Sequence, residues 1–281
     1  MLVRYLSITK PGIIRGNIIT LCGGFFLASR GHIDFWLLLF TAAGMSLVIA
    51  CGCVINNIID RDIDLLMTRT KDRVMVKGLV SKQAAAIYAV ILGVLGFAIL
   101  YFRTNNLTVL VSAIGLFFYV VVYTICMKRR SPLGTLVGGV SGAIPPVVGY
   151  CAVTNRFDLG AIILFLILFF WQLPHFYAIA IYRLEDYQAA SIPVLPATKG
   201  MRRTKISILA YIAVFTVVAV MPTIFGYAGV AYFIVALAIG LFWFYSGLKG
   251  FSVQNDKPWA RKMFLLSILN IALLCVMMLF A

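Results

Sequence analysis

Apolar residues along this chain recur in nine long runs, each ended by a charge cluster or by a Gly, Asn or Pro turn. A helix needs roughly 20 mostly apolar residues to cross the hydrocarbon of a bilayer. Breaking the pattern at its polar interruptions predicts helices over about 12–29, 36–59, 84–102, 107–127, 132–153, 159–182, 205–225, 228–248 and 261–281. Almost nothing is left over for a soluble domain. Hydrophobic residues make up 63% of the 281 and charged ones only 12%, far from globular usage. The expectation is an all-α polytopic membrane protein, a nine-transmembrane-helix bundle forming a single integral-membrane domain over 1–281.

Charge sets the orientation. With the N-terminus in the cytoplasm, 21 of the 24 cations fall inside, against Arg30, Arg103 and Arg156 outside, as the positive-inside rule requires. A missed or invented span would scramble that alternation. The net charge of +15 is therefore mostly topology; it forms no basic run interleaved with aromatics in a soluble module, and nucleic acid is not an expected partner. The six cysteines (Cys22, Cys51, Cys53, Cys126, Cys151 and Cys275) lie in or at the ends of apolar runs without paired metal-binding spacing, and read as small buried hydrophobes. A basic flank precedes the first run, but further spans follow at once, so a retained first helix is expected rather than a cleaved signal.

Two inside loops are long, about 60–83 and 183–204, and hold six of the seven inside acids. In the first, Asn56, Asp60 and Asp64 are spaced i, i+4, i+8. Such spacing drifts only about 40° per step on a helix and makes one polar stripe. Asp62 points elsewhere and reads as a solvated helix end. Oxygen ligands at a membrane rim suit Mg²⁺, which takes one or two carboxylates and completes its shell with water and phosphate oxygens. Arg69, Lys71, Arg73 and Lys77 follow. Arg forks and Lys point charges beside a metal stripe suit a diphosphate.

The second constellation runs from Trp171 to Pro196. Gln172 and His175 lie inside an apolar helix that contains Pro174, and His175 is either bonded to a neighbouring helix or turned into the bundle interior. Arg183, Glu185, Asp186 and Tyr187 stand at the inside edge, placed to meet the first stripe across a mouth. The fifth run carries Gly134, Gly138, Gly139, Ser141, Gly142 and Gly149 around Pro145 and Pro146. Close helix packing and a bent cavity wall are both open for it. His32, in a short outside loop, is expected to be inert.

At these residues the chain resembles the UbiA superfamily of intramembrane prenyltransferases, whose NxxxDxxxD signature is matched by Asn56, Asp60 and Asp64. Thr9-Lys10-Pro11, NNIIDRDID with RTKDR, SPLGTLVGG with GAIPPVVGY, and WQLPHFYAIAIYRLEDY with IPVLP resemble the haem-farnesylating branch over essentially the whole chain. A second DxxxD of the wider superfamily is replaced by Arg183-Leu184-Glu185-Asp186-Tyr187, which leaves open which of Glu185 and Asp186 assists a second metal. The resemblance implies a cavity opening to lipid, Mg²⁺ as cofactor, farnesyl diphosphate and haem B as substrates, and a bacterial inner membrane as the home. It implies Asn56, Asp60 and Asp64 as metal ligands, Arg69, Arg73, Lys71 and Lys77 for diphosphate, and His175, Gln172 and Tyr187 toward the acceptor. Lys128 and Arg129 are candidates for the haem propionates. A haem A synthase or terminal oxidase would receive the product. The rivals are a UbiA-type enzyme with an aromatic or quinone-precursor acceptor, and a transporter; a transporter would place its polar groups at the midplane from both sides.

Overall fold

A computed structural model describes residues 2–280. Among the described residues nine helices are long and apolar enough to cross a membrane. In chain order, α1 (Leu2–Ile8) is a short N-terminal helix, followed by α2 (Pro11–Ser29), α3 (Phe35–Ile59) and the one-turn α4 (Arg61–Leu66). Next come α5 (Lys82–Arg103) and α6 (Asn106–Phe117), the latter running on as a π-helical segment over Phe118–Met127. The fifth span is split into α7 (Gly134–Gly142) and α8 (Ile144–Thr154); α9 is Leu159–Tyr182, and the short α10 (Leu184–Ala189) and α11 (Leu195–Lys199) lie in the loop after it. The last three spans are α12 (Met201–Ile224), α13 (Val230–Leu248) and α14 (Asp256–Met277).

All nine expected spans are present. α12 and α14 start four or five residues before the apolar runs that announce them, because Arg202 and Arg203, and likewise Asp256 and Lys257, ride on first turns that are helical but not apolar. Helix α1 and the three short loop helices were not expected.

The turns on the Arg30, Arg103 and Arg156 side are short because side chains cap the helices there. Asp34 accepts from Leu37 N at 3.0 Å, Asn105 from Thr108 N at 2.9 Å and Asp158 from Gly160 N at 2.9 Å. Each satisfies an orphan N–H at a helix start. On the opposite side Ser81 does the same for α5.

The main core packs α2, α8, α9, α12, α13 and α14 around Leu21, Val148, Ile167, Phe215 and Trp243. A second cluster joins α3 and α5 through Val54, Ala89 and Leu92, and draws in Ile8, Met75 and Val80 from the N-terminus and the first inside loop. Large apolar side chains such as Val94, Phe102, Ile234 and Leu241 lie exposed on the outer faces of spans, the surface that lipid would cover. Between α2 and α8 the backbones touch: a Cβ at Gly24 would lie 2.0 Å from the Pro146 carbonyl oxygen, and one at Gly149 would lie 2.1 Å from that of Leu21. Small residues permit this approach, and the break at Ala143 lets Pro145 and Pro146 open α8, where a missing N–H costs nothing. Both readings of the fifth run are thus realised, close packing and a broken span. The cysteines are free among the described residues; four are buried as expected, whereas Cys22 is half-buried and Cys126, on the π segment, is exposed.

Candidate functional site

Helix α3 ends at Ile59, and Asp60 sits at the joint with φ −85° and ψ 3° before α4 resumes. The joint preserves helical hydrogen bonding: Asp60 N donates to Asn56 O at 2.9 Å and Asp64 N to Asp60 O at 2.8 Å. The i, i+4, i+8 stripe therefore survives the change of helix. Asn56, Asp60 and Asp64 are 3%, 0% and 2% exposed, whereas the Asp62 side chain is 66% exposed. Asp62 is held off the site by Arg129, whose guanidinium donates to both carboxylate oxygens at 2.7 Å. That fork lowers the Asp62 carboxyl to about 2.

One side-chain oxygen of each stripe residue accepts from a cation. Lys10 donates to Asn56 Oδ1, Lys128 to Asp60 Oδ2, and Arg73 to Asp64 Oδ2 at 2.5 Å. Arg129 stands 3.7 Å from Asp60 Oδ1, too far for a hydrogen bond, and that oxygen is buried with no hydrogen-bond partner. A buried anionic oxygen without a partner is costly unless a cation or donor reaches it. Together with a second carboxylate and an amide oxygen buried along the same stripe, it is the donor chemistry that suits Mg²⁺.

Lys10 and Lys128 enter this cluster from places that the charge pattern assigned to topology. Lys10 has φ +54°, a left-handed conformation for a non-glycine residue directly before Pro11. Such backbone costs on the order of 1–3 kcal/mol and persists where the surroundings enforce it. Here Thr9 caps α1 by donating to the Leu6 carbonyl, and Asn57 donates to the Ile8 carbonyl at 2.7 Å, so the chain is pinned on both sides of Lys10. Burial lowers the Lys10 ammonium to about 8. Lys128 follows the π segment, in which Thr124 Oγ1 donates to Tyr119 O and Lys128 N to Tyr123 O, both five residues back. The wider turn puts Tyr119, Tyr123, Thr124 and Lys128 on one face; π turns recur at functional sites. Asn56 Nδ2 donates to Thr124 Oγ1 at 3.1 Å, tying that face to the stripe. The Tyr119 and Tyr123 rings stack with centroids 6.1 Å apart.

The two inside loops pack directly on one another. Ile63 and Met67 of the first bury against Ala190 and Ile192 of the second, with Tyr187 and Val194 beside them. Asp186, 8% exposed, accepts from Thr68 N at 2.9 Å. Tyr187 stands between the halves: burial raises its hydroxyl pKa, Tyr123 and Tyr182 add to the rise, and Arg69 and Lys128 oppose it. Arg69 itself is exposed and makes no hydrogen bond or ion pair to the stripe among the described residues. Lys71 and Lys77 are exposed, with Lys77 paired to Asp72 at 2.8 Å, so neither reaches the stripe. Glu185 is also separated from it: its side chain is 89% exposed and lies 3.6 Å from Lys257. Neighbouring residues of a helix project about 100° apart, and on α10 this turns Asp186 inward while Glu185 stays out.

The second constellation divides as well. Gln172 is 3% exposed and donates to the Gly139 carbonyl at 2.5 Å. A Cβ at Gly142 would meet its Oε1 at 2.1 Å, so Gln172 is a rivet between α9 and α7 rather than a group open to an acceptor. His175, one helical turn further, is half-buried. Its Nδ1 lies 2.6 Å from Ser267 Oγ on α14, and its ring stacks on Trp171 and leans on Phe264, both at 4.9 Å. Phe264 meets Tyr182 at 5.9 Å. An aromatic wall thus runs from His175 through Phe264 and Tyr182 toward Tyr187 and the stripe.

Fold and site together define a class: an integral-membrane protein whose buried carboxylates and cations gather where its helices meet two packed loops, next to an aromatic-lined interior. The chain belongs to the UbiA prenyltransferase family, which it matches over residues 17–269. It is 54% identical over 278 residues to a protein of Cronobacter sakazakii called protoheme IX farnesyltransferase, covering 99% of this chain and 94% of that one, and a relative from Yersinia pseudotuberculosis with the same name matches to the same degree. Among solved structures it is similar to a UbiA homologue from Archaeoglobus fulgidus bound to GPP and Mg²⁺, with TM-score 0.70, 15% identity and coverage of 99% of this chain and 100% of that one. At such identity the likeness concerns the fold.

Proposed function

We propose that this protein transfers the farnesyl group of farnesyl diphosphate to the 2-vinyl group of haem B, with addition of water, to give haem O and diphosphate. The named relatives at 54% identity over nearly the whole chain support the substrates. The observation that carries the chemistry is the buried Asn56, Asp60 and Asp64 stripe, with one unpartnered carboxylate oxygen, ringed by Lys10, Arg73 and Lys128.

Asn56, Asp60 and Asp64 would hold Mg²⁺, which when bound neutralises charge on the diphosphate. Arg73, Lys128 and Arg69 take up the remaining phosphate charge as the bond between farnesyl C1 and oxygen breaks. Stabilising this leaving group is the main catalytic contribution. The Tyr119 and Tyr123 faces border the carboxylates and exclude water from the allylic centre. The terminal vinyl carbon of haem bonds to farnesyl C1; water then adds to the inner vinyl carbon and loses a proton, leaving a hydroxyethylfarnesyl substituent. No side-chain nucleophile is needed. His175, at the far end of the aromatic wall, meets the haem iron.

The cation distribution supports a cytoplasmic N-terminus, hence a site on the cytoplasmic face, and the enterobacterial relatives support a bacterial inner membrane. The test is direct: purified protein with Mg²⁺, farnesyl diphosphate and haem B, with products read by mass spectrometry. Haem O is expected. Prenylated benzoate without prenylated haem would replace the acceptor, and neither product would overturn the assignment.

A further inference from the structure

Ser267 is fully buried on α14, and two residues one turn apart on α9 grip it: Trp171 Nε1 donates to its backbone carbonyl at 2.7 Å, and His175 Nδ1 meets its hydroxyl at 2.6 Å. The same hydroxyl oxygen lies 2.5 Å from the Phe264 carbonyl oxygen. A hydroxyl has one proton, and a carbonyl oxygen can only accept. If the Ser267 proton pointed at His175, two oxygen lone pairs would face each other at 2.5 Å with nothing between them. The arrangement is satisfied in only one way: Ser267 donates to Phe264, and His175 Nδ1 carries a proton and donates to Ser267. Nε2 is then the unprotonated nitrogen. It has no hydrogen-bond partner among the described residues and is not among the buried unpartnered atoms, so it is open to space.

We propose that Ser267 is a positioning residue that fixes His175 in its Nδ1–H tautomer, so that the Nε2 lone pair is presented to the iron of the haem substrate. This rests on the reading of His175 as the haem-facing residue. An imidazole that binds a metal through one nitrogen commonly donates its other N–H to a fixed acceptor, which sets both tautomer and ring plane. Trp171 stacks on the ring and, by holding the Ser267 backbone, keeps that acceptor in place. The relay Phe264 carbonyl, Ser267 hydroxyl, His175 imidazole thus spans two helices and leaves no rotational freedom at the ligand. Without the hydroxyl, the ring is free to carry its proton on Nε2, where it blocks coordination.

The experiment is a titration of ferrous haem B into the purified full-length protein without farnesyl diphosphate, followed by its absorption bands, for wild type, His175→Ala, Ser267→Ala and Ser267→Thr. Wild type is expected to give an imidazole-ligated spectrum that His175→Ala abolishes. Ser267→Ala should bind haem about 10-fold to 100-fold more weakly and lose the imidazole-type bands in proportion, with its melting temperature unchanged. Ser267→Thr, which keeps a hydroxyl able to bond the preceding turn, should restore both. Wild-type affinity and spectrum in Ser267→Ala, alongside their loss in His175→Ala, would overturn the role of Ser267 alone. Weakened binding with the imidazole bands intact would reduce Ser267 to packing and also overturn it. An unchanged His175→Ala variant would instead remove the haem-facing reading on which the proposal stands.

Discussion

Replacing Asp60 by Asn keeps shape and removes one charge, which makes it the sharpest probe of the site. The carboxylate is 1% exposed, bonded to Lys128 through Oδ2, with Arg129 3.7 Å from Oδ1. At an effective dielectric of about 20, a pair at that separation attracts by roughly 4 to 5 kcal/mol, before desolvation is set against it. The net effect of neutralising one side of a buried pair is about 3–5 kcal/mol of lost stability, because the other charge stays buried alone. That residue is Lys128, 16% exposed. Asp60→Asn should therefore melt well below wild type in detergent. Adding Lys128→Gln removes the stranded ammonium and should recover most of the loss, a coupling that a double-mutant cycle reads directly. Function separates from stability by adding MgCl₂ and inorganic diphosphate: wild type should melt higher with both present, whereas neither Asp60→Asn nor the double variant should respond. A double variant no more stable than the single one would refute the pairing. A retained response in Asp60→Asn would refute the metal site.

Asp62→Asn should leave turnover nearly unchanged and cost under about 1 kcal/mol, less at high salt, since its partnership with Arg129 is exposed. Its carboxyl is lowered from 3.8 to about 2, so its small contribution is full above pH 3.8 and disappears as pH falls through about 2; salt-dependent melting across that window checks the sign. Gly149→Ala puts a methyl 2.1 Å from the Leu21 carbonyl oxygen. Two helices must part, at about 1–3 kcal/mol or more, so the melting temperature should drop while turnover per folded molecule holds. Glu185→Gln should have wild-type kinetics, whereas Asp186→Asn weakens the acceptor for Thr68 N and should raise the KM for the prenyl diphosphate by loosening the contact between the two inside loops.

Hydrophobic runs revealed the nine spans because in a bilayer the whole circumference of a helix can be apolar, and length alone decides the assignment. The same signal missed the first turns of α12 and α14, which are helical while carrying charged side chains, Arg202 and Arg203 on one and Asp256 and Lys257 on the other. It also missed α1, whose seven residues are too few to show a period. At the site, the Asn56, Asp60 and Asp64 stripe was legible because helical spacing needs no knowledge of neighbours. Asp62 was placed outside it by the same arithmetic. What spacing cannot supply is the direction of a side chain at a helix end, and there Glu185 and Asp186 could not be told apart until α10 was seen to turn one outward and the other under Thr68. Gln172 had the polarity of an acceptor contact, but the glycine that admits it, Gly142, lies 30 positions earlier on another helix.

The cations are the instructive failure. Lys10 and Lys128 satisfied the positive-inside rule, which accounts for 21 of 24 cations; beyond that, Lys10 stood out only within a family motif and Lys128 only as a candidate for the haem propionates, whereas the structure bonds them to Asn56 and Asp60. The marks were in the backbone. Lys10 precedes Pro11 in a left-handed conformation that a side chain disfavours, and Lys128 ends ten residues of π helix. Both distortions deliver an ammonium to a stripe atom, one to Asn56 and one to Asp60. Asn56, Asp60 and Asp64 each have one oxygen bonded to a cation, while Asp60 Oδ1 is left without a hydrogen-bond partner. If the proposed function holds, a metal at the open oxygen and a diphosphate would arrive together without stranding charge, since the cations released from the carboxylates would then face the diphosphate. On the proposed reading, topology and catalysis draw on the same lysines, and only the local geometry separates the two duties.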